Sequence, residues 1–279
     1  MCGFVGFVGN KPPDLSLIKT MTGSLDHRGP DSSNVWLCKN DNIALGHTRL
    51  AILDISDNGS QPMESHSGRY IITFNGEIYN HHELRKRLEQ VKEKVWRGDS
   101  DTETIIELIE LYGLKETLMI VKGMFAFAVW DKKDKELFLA RDIAGEKPLY
   151  YGFQNNILIF GSELKALKLH SEFDNKIDNK AISMFMKYSY IPEPLSIYEN
   201  TKKLPPGCYV KLSHKTLNSE IKIKKYWNIV DNINSEEAYY SNLNITDIIN
   251  IYEKKLLSSI NLQQLSDRPV GAFLSGGVD

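Results

Sequence analysis

No run of this sequence comes near the ~20 apolar residues needed to span a bilayer, no block of like charge interrupts it, and cysteine is scarce, with three in 279 residues. The first absence excludes a helical membrane protein. Together with 34 basic against 36 acidic side chains and a formal net charge of -2, the second argues against electrostatic capture of nucleic acid or an anionic membrane. Cys2, Cys38 and Cys208 are odd in number and far apart, which fits neither a disulfide framework nor paired zinc ligands. His27 and His47 are not at ligand spacing, and His81-His82 precedes a solvated helix, so no protein-held metal is expected. The opening ten residues have no basic stretch before their apolar ones, unlike a secretory signal. These absences together predict a soluble, cytoplasmic protein with reduced thiols.

What is present is a strand-rich chain with interleaved helices. Apolar strand candidates fall at residues 3–8, 35–38, 43–52, 70–74, 124–130, 137–140, 149–153 and 157–160. Phe125, Phe127 and Val129 would share one face of their strand and Ala126, Ala128 and Trp130 the other, so that strand is expected to be covered on both sides. The polar stretch 131–135 separates two strand-like runs as a hairpin loop does. Helices are expected at 15–25, 80–90, 163–169, 180–188 and, with Gly113 as its stop, at 101–112. Packed sheets with outer helices follow, an α+β fold. Beyond the proline-rich stretches near 192 and 205, residues 228–244 read as a polar linker. A long helix at 247–265 and a strand at 269–274 then open a second unit.

Several local clusters carry chemistry. If Met1 is removed, Cys2 has a thiol beside a free α-amine, and their reference pKa values, about 8.5 and 8, make proton transfer between them nearly thermoneutral. Asn75-Gly76 follows a strand and offers a side-chain amide next to a glycine N–H, two donors suited to an oxyanion; an Asn-Gly hairpin turn is the competing reading. Arg49 lies in an apolar stretch, where its guanidinium needs a partner: a substrate carboxylate, or a structural Asp or Glu. Asp101 stands at a helix start, as a cap or as a holder of a substrate ammonium. His27-Arg28-Gly29-Pro30-Asp31 reads as a structural polar loop.

Taken in order, Cys2-Gly3, the 27–31 loop, Arg49-Leu50, Asn75-Gly76-Glu77-Ile78-Tyr79-Asn80, Ser100-Asp101-Thr102-Glu103, Gly123-Met124-Phe125-Ala126, Arg141-Asp142, the 145–151 run, the 162–167 run, Lys203-Leu204-Pro205-Pro206-Gly207 and Leu274-Ser275-Gly276-Gly277-Val278-Asp279 resemble glutamine-hydrolysing asparagine synthetases of the bacterial type. The resemblance implies a glutamine amidotransferase domain over 2–215, a four-layer αββα N-terminal-nucleophile sandwich. The truncated start of an α/β ATP-pyrophosphatase domain would follow over 235–279. It implies Cys2 as nucleophile and Asn75 with Gly76 as oxyanion hole. For glutamine it implies Arg49 on the carboxylate, Leu50, Ala51, Ile52 and Leu53 lining the same strand, and Glu77 with Asp101 on the α-amino group.

In the second unit Leu274, Ser275, Gly276, Gly277 and Asp279 would belong to an ATP site. ATP with Mg would be the co-substrate of the full-length enzyme, aspartate the acceptor of ammonia, and a homodimer the assembly. The 279 residues would then hydrolyse glutamine without making asparagine. Glucosamine-phosphate synthase and the phosphoribosylamine-forming enzyme share the Cys2 and Asn-Gly features, and the SGGVD run sets the asparagine synthetases apart from them. An amidotransferase acting on another carboxylate, or a non-catalytic remnant, are the alternatives.

Overall fold

The structure, a computed structural model, describes residues 1–213 and 221–277. In chain order the elements are β1 (Gly3–Val8), α1 (Leu15–Gly23), β2 (Ser32–Cys38), β3 (Ile43–Arg49), β4 (Met63–Glu64), β5 (Tyr70–Ile78), α2 (His81–Val91), α3 (Asp101–Tyr112), α4 (Leu114–Ile120), β6 (Gly123–Asp131) and β7 (Glu136–Arg141). There follow β8 (Tyr150–Gln154), β9 (Ile157–Gly161), α5 (Leu164–Leu167), α6 (Asn179–Tyr188), β10 (Lys202–Lys203), β11 (Cys208–Ser213), β12 (Ile223–Lys225), α7 (Ile229–Tyr240) and α8 (Ile245–Gln263).

The strands form two antiparallel sheets, ordered β10-β8-β9-β1-β3-β2 and β12-β11-β7-β6-β5-β4. Side-chain alternation along β6 shows how they stack. Ala126, Ala128 and Trp130 meet Phe4, Leu45 and Phe160 of the other sheet in a core between the sheets. Phe125, Phe127 and Val129 face outward onto Leu84 and Leu88 of α2, Ile105 and Ile109 of α3, and Leu114 and Leu118 of α4. On the far side, Val5, Phe7 and Ile159 are covered by Ile18 and Met21 of α1 and Ala166 and Leu167 of α5. The result is the four-layer αββα sandwich, with the hairpin at 131–135 joining β6 to β7.

Local chemistry explains the helix ends. Ser100 caps α3 by accepting the Thr102 N–H, and Gly113 ends it at φ 83, a left-handed conformation that glycine adopts without steric cost. Asp14 caps α1 in the same way as Ser100 caps α3.

Four expectations need correction. The strand expected over 43–52 stops at Arg49, because residues 50–56 leave the sheet to wrap the Arg49 side chain. The strand expected to end at Phe74 runs on to Ile78, with Asn75 opposite Ala126 and Gly76 opposite Phe125, so Asn75-Gly76 is strand and not a hairpin turn. Residues expected as a polar linker form α7, whose start is capped by Asn228 accepting the Val230 N–H. Residues 269–274 are irregular and not a strand, since among the described residues no strand lies beside them to offer hydrogen bonds. Helix α4 was not foreseen at all; it begins directly after the Gly113 stop. Among the described residues, α7 and α8 bury no side chain, and no helix is long and apolar enough to cross a membrane.

Trp130 is fully buried between the sheets. Trp130→Ala is expected to cost about 3–5 kcal/mol through lost burial and the cavity it leaves, measured by urea denaturation; a loss under about 1 kcal/mol would contradict this packing.

Candidate active site

Strands β1 and β3 are antiparallel neighbours with Gly3 opposite Thr48, which brings Cys2 level with the end of β3. The Leu50 N–H donates to Cys2 Sγ (3.4 Å), and Sγ lies 3.6 Å from the Leu50 carbonyl oxygen. Arg28 Nε donates to the Cys2 carbonyl (2.9 Å), and its Nη1 is held by Glu163 (2.8 Å). From the same 27–31 loop Asp31 accepts the Ala51 N–H (2.8 Å). That loop therefore steadies both Cys2 and the segment after β3. Burial pushes the Cys2 thiol up and the terminal amine of Met1 down. A buried neutral thiol needs a neighbouring base before it can attack, and this is a place that favours a neutral amine.

Cys2 opens onto a cavity of about 270 Å³, of which Arg49, Asn75, Gly76, Glu77 and Asp101 form walls. That is just below the ~300–1,000 Å³ of drug-sized ligand pockets, a size suited to an amino acid. Of the four residues after Arg49, Leu50, Ile52 and Leu53 line it. Ala51 does not; it is buried with its N–H on Asp31. None of the four lies on the strand, contrary to the sequence reading.

The donors of this cavity come from the edge of β5. Strand β4 pairs only as far as Ile71 and Ile72, so beyond that point β5 has, among the described residues, no strand on that side. The Phe74 N–H, on the open edge, donates to Gln61 Oε1 (2.6 Å), and the Phe74 carbonyl accepts from His47 Nε2 (3.0 Å). The Ile78 N–H donates to Asp101 Oδ2 (2.8 Å). Alternation of the ladder directs the Gly76 N–H to the same edge. Consistently, its cross-strand partner Phe125 spends its own N–H and carbonyl on Asp142 (3.1 and 2.8 Å). Asn75 Nδ2, next along the strand, is buried with no acceptor among the described residues. A buried unpaired donor costs about 1–3 kcal/mol, and its retention at a cavity wall is what an oxyanion or carbonyl ligand would relieve. A Cβ at Gly76 would collide with the Met124 carbonyl and the Phe125 backbone, so glycine is also required by the close approach of β6.

Among the described residues Arg49 pairs with no Asp or Glu side chain. Its Nη1 donates to the Ser56 carbonyl (2.7 Å), and its Nη2 to the carbonyls of Leu53 (3.3 Å) and Asp54. Among the described residues, Nε–H and the second Nη1 hydrogen have no acceptor. Gly59 sits where any side chain would strike the guanidinium. Asp101 is not the cap of α3, since Ser100 takes that role. Burial, with the Glu77 carboxylate adding to it, pushes the Asp101 carboxyl up to about 7, and burial also raises Glu77, opposed by Lys147. A nearby cation favours the charged form of such carboxylates.

Gln61, which also bonds Thr102 Oγ1 (3.1 Å), His47 and Lys147 escaped the sequence reading as site residues. Lys147 is buried in the cavity wall, 3.7 Å from the Met1 sulfur. Burial pushes His47 down to about 4, so it is neutral and donates through Nε2.

The residues proposed for ATP behave differently. Leu274 is 98% exposed, and a Cβ at Gly276 would meet nothing within 4 Å. Ser275 accepts the nearby Gly277 N–H (3.3 Å), and Asp279 lies outside the described residues. No group of three His, Cys, Asp or Glu among the described residues is placed to hold a metal.

An acid raised in the fold is a charge the fold disfavours. Ionisation of Asp101 weakens the folded state as pH climbs from the unfolded value near 4 to about 7, and the deficit is constant above that. Asp101→Asn is therefore expected to be more stable than the parent, by a margin that grows between pH 4 and 7 and then levels, read from Tm against pH. A margin independent of pH would contradict it.

A family model described as a glutamine amidotransferase domain matches residues 1–227. Among curated proteins, asparagine synthetase [glutamine-hydrolyzing] 1 of Bacillus subtilis is 37% identical over 100% of this chain and 42% of its own length. A putative asparagine synthetase [glutamine-hydrolyzing] 2 of Methanocaldococcus jannaschii is 35% identical over 100% of this chain and 55% of its own. The chain thus spans about half the length of these relatives. Among solved structures, the glutamine phosphoribosylpyrophosphate amidotransferase of B. subtilis superposes with a TM-score of 0.58 at 19% identity, covering 81% of this chain and 49% of that one, a likeness of fold. With a cysteine, an open-edge amide pair and two carboxylates gathered in one cavity of that fold, and the family match spanning all of them, this chain belongs to the glutamine amidotransferase domain family.

Proposed function

We propose that the chain hydrolyses glutamine at Cys2 and delivers the ammonia to asparagine synthesis. The observation that carries the reading is the buried, unpartnered Asn75 amide beside the Gly76 N–H, in the cavity that also holds Cys2. Glutamine would enter with its carboxylate on the free donors of Arg49 and its ammonium between Glu77 and Asp101, which would draw the Asp101 carboxyl back to its charged form. That leaves the side-chain amide at Sγ. With Met1 removed, the α-amine of Cys2 takes the thiol proton as sulfur adds to the amide carbon. The oxygen becomes an oxyanion held by Asn75 Nδ2–H and Gly76 N–H. Collapse passes the proton to the departing nitrogen, releasing ammonia and leaving a thioester. Water, deprotonated by the same amine, then adds to the thioester carbon; the C–S bond breaks, the proton returns to sulfur, and glutamate leaves.

The acceptor half rests on the relatives' names and on the sequence resemblance. In a full-length protein, aspartate activated with ATP and Mg would take up the ammonia, in the cytoplasm and as a homodimer. Leu274, Ser275, Gly276, Gly277 and Asp279 would contribute to the ATP site only once further chain encloses them.

Cys2→Ala is expected to abolish glutamate release from glutamine. Asn75→Ala should lower kcat about 10²–10³-fold with KM changed little, because its amide is used when negative charge develops on the oxygen. Turnover surviving Cys2→Ala would overturn the nucleophile, and an Asn75→Ala effect confined to KM would overturn the oxyanion role.

A further inference from the structure

The segment after β3 is held from two sides. From within, Arg49 ties the carbonyls of Leu53, Asp54 and Ser56. From outside, the hold comes from residues more than 200 positions later, just past α8. The Asp267 N–H donates to the Ile52 carbonyl (3.0 Å), Asp267 Oδ2 accepts the Asp54 N–H (2.7 Å), and Arg268 Nε donates to the Ala51 carbonyl (3.3 Å). Asp54 has φ 51, a left-handed backbone that a non-glycine residue keeps only when its surroundings hold it there. Its own carboxylate is occupied by the N–H groups of Ser56 (3.2 Å) and Asp99 (2.9 Å), so the Asp54 N–H depends on an acceptor from elsewhere. Between these anchors Ile52 and Leu53 face the cavity.

We infer that Asp267, assisted by Arg268, is a positioning residue for the glutamine pocket: it fixes the 51–54 main chain, and through it the Arg49 guanidinium and the Ile52–Leu53 wall. The inference rests on the reading of this cavity as the glutamine site. It goes beyond that reading by making the pocket's shape depend on a segment outside the matched amidotransferase domain, which ends at residue 227. Asp267 and Arg268 are exposed, so replacing them does not threaten the core. Because the clamp shapes the ground-state pocket and touches no reacting atom, its loss is read in KM and not in kcat.

The test uses the whole chain with Asp267→Ala and Asp267→Asn. Asp267→Ala should raise KM for glutamine about three- to tenfold, with kcat within twofold and Tm unchanged. Asp267→Asn keeps an oxygen for the Asp54 N–H and should recover most of the loss. Independently of catalysis, amide hydrogen exchange over 50–56 should accelerate in Asp267→Ala and not in Asp267→Asn. An unchanged KM in Asp267→Ala, or equal impairment of both variants, would overturn the clamp. If the parent chain releases no glutamate at all, the glutamine reading fails, while the exchange comparison still decides whether the clamp exists.

Discussion

Strand β5 has a neighbour on both sides only as far as Ile72. Past that residue one edge is open, and a strand edge buried in a protein must find other partners for its main-chain groups. Here they are supplied singly: Gln61 for the Phe74 N–H, His47 for the Phe74 carbonyl, Asp101 for the Ile78 N–H. None of these three meets the Gly76 N–H, which alternation turns to this edge, or, beside it, the Asn75 amide, buried without an acceptor among the described residues. The pairing of β5 with β6 on the other side sets the position of both donors to that of a rigid sheet. The catalytic reading depends on this one interrupted ladder.

The electrostatics of the cavity are consistent with a zwitterionic occupant. Arg49, in its lining, is largely committed to main-chain carbonyls yet keeps donors without an acceptor among the described residues. In the same lining, two carboxylates are held above their ordinary range by burial. An occupant with a carboxylate and an ammonium would answer both, leaving its side chain for the buried thiol. A simple anion or cation would answer one alone.

Some of this was legible in the sequence because it is local. The two faces of β6 follow from alternation, and the Ser100 start and Gly113 stop of α3 from capping chemistry. Asn75-Gly76 was ambiguous because a turn and a strand share that dipeptide; the answer lies in pairing with Phe125, about fifty residues away. Gln61 and His47 could not be read, since what places them in the site is the main chain of Phe74 on β5, a contact that leaves no local pattern. The main-chain carbonyls that hold Arg49 are partners without a residue signature. The start of α7 did carry a signal, the capping Asn228, hidden in a stretch whose composition resembles a linker. The contact of Asp267 with Asp54 spans 213 residues and leaves no local trace.

The central claim is that Cys2 is a nucleophile aimed into this cavity, and covalent labelling tests it most directly. The protein is treated with an electrophilic glutamine analogue and the adduct located by peptide mass spectrometry. The account predicts one adduct, on the Cys2 thiol of chains that have lost Met1, slowed by added glutamine and leaving Cys38 and Cys208 untouched. No adduct at Cys2, or labelling of all three cysteines at similar rates regardless of glutamine, would contradict it.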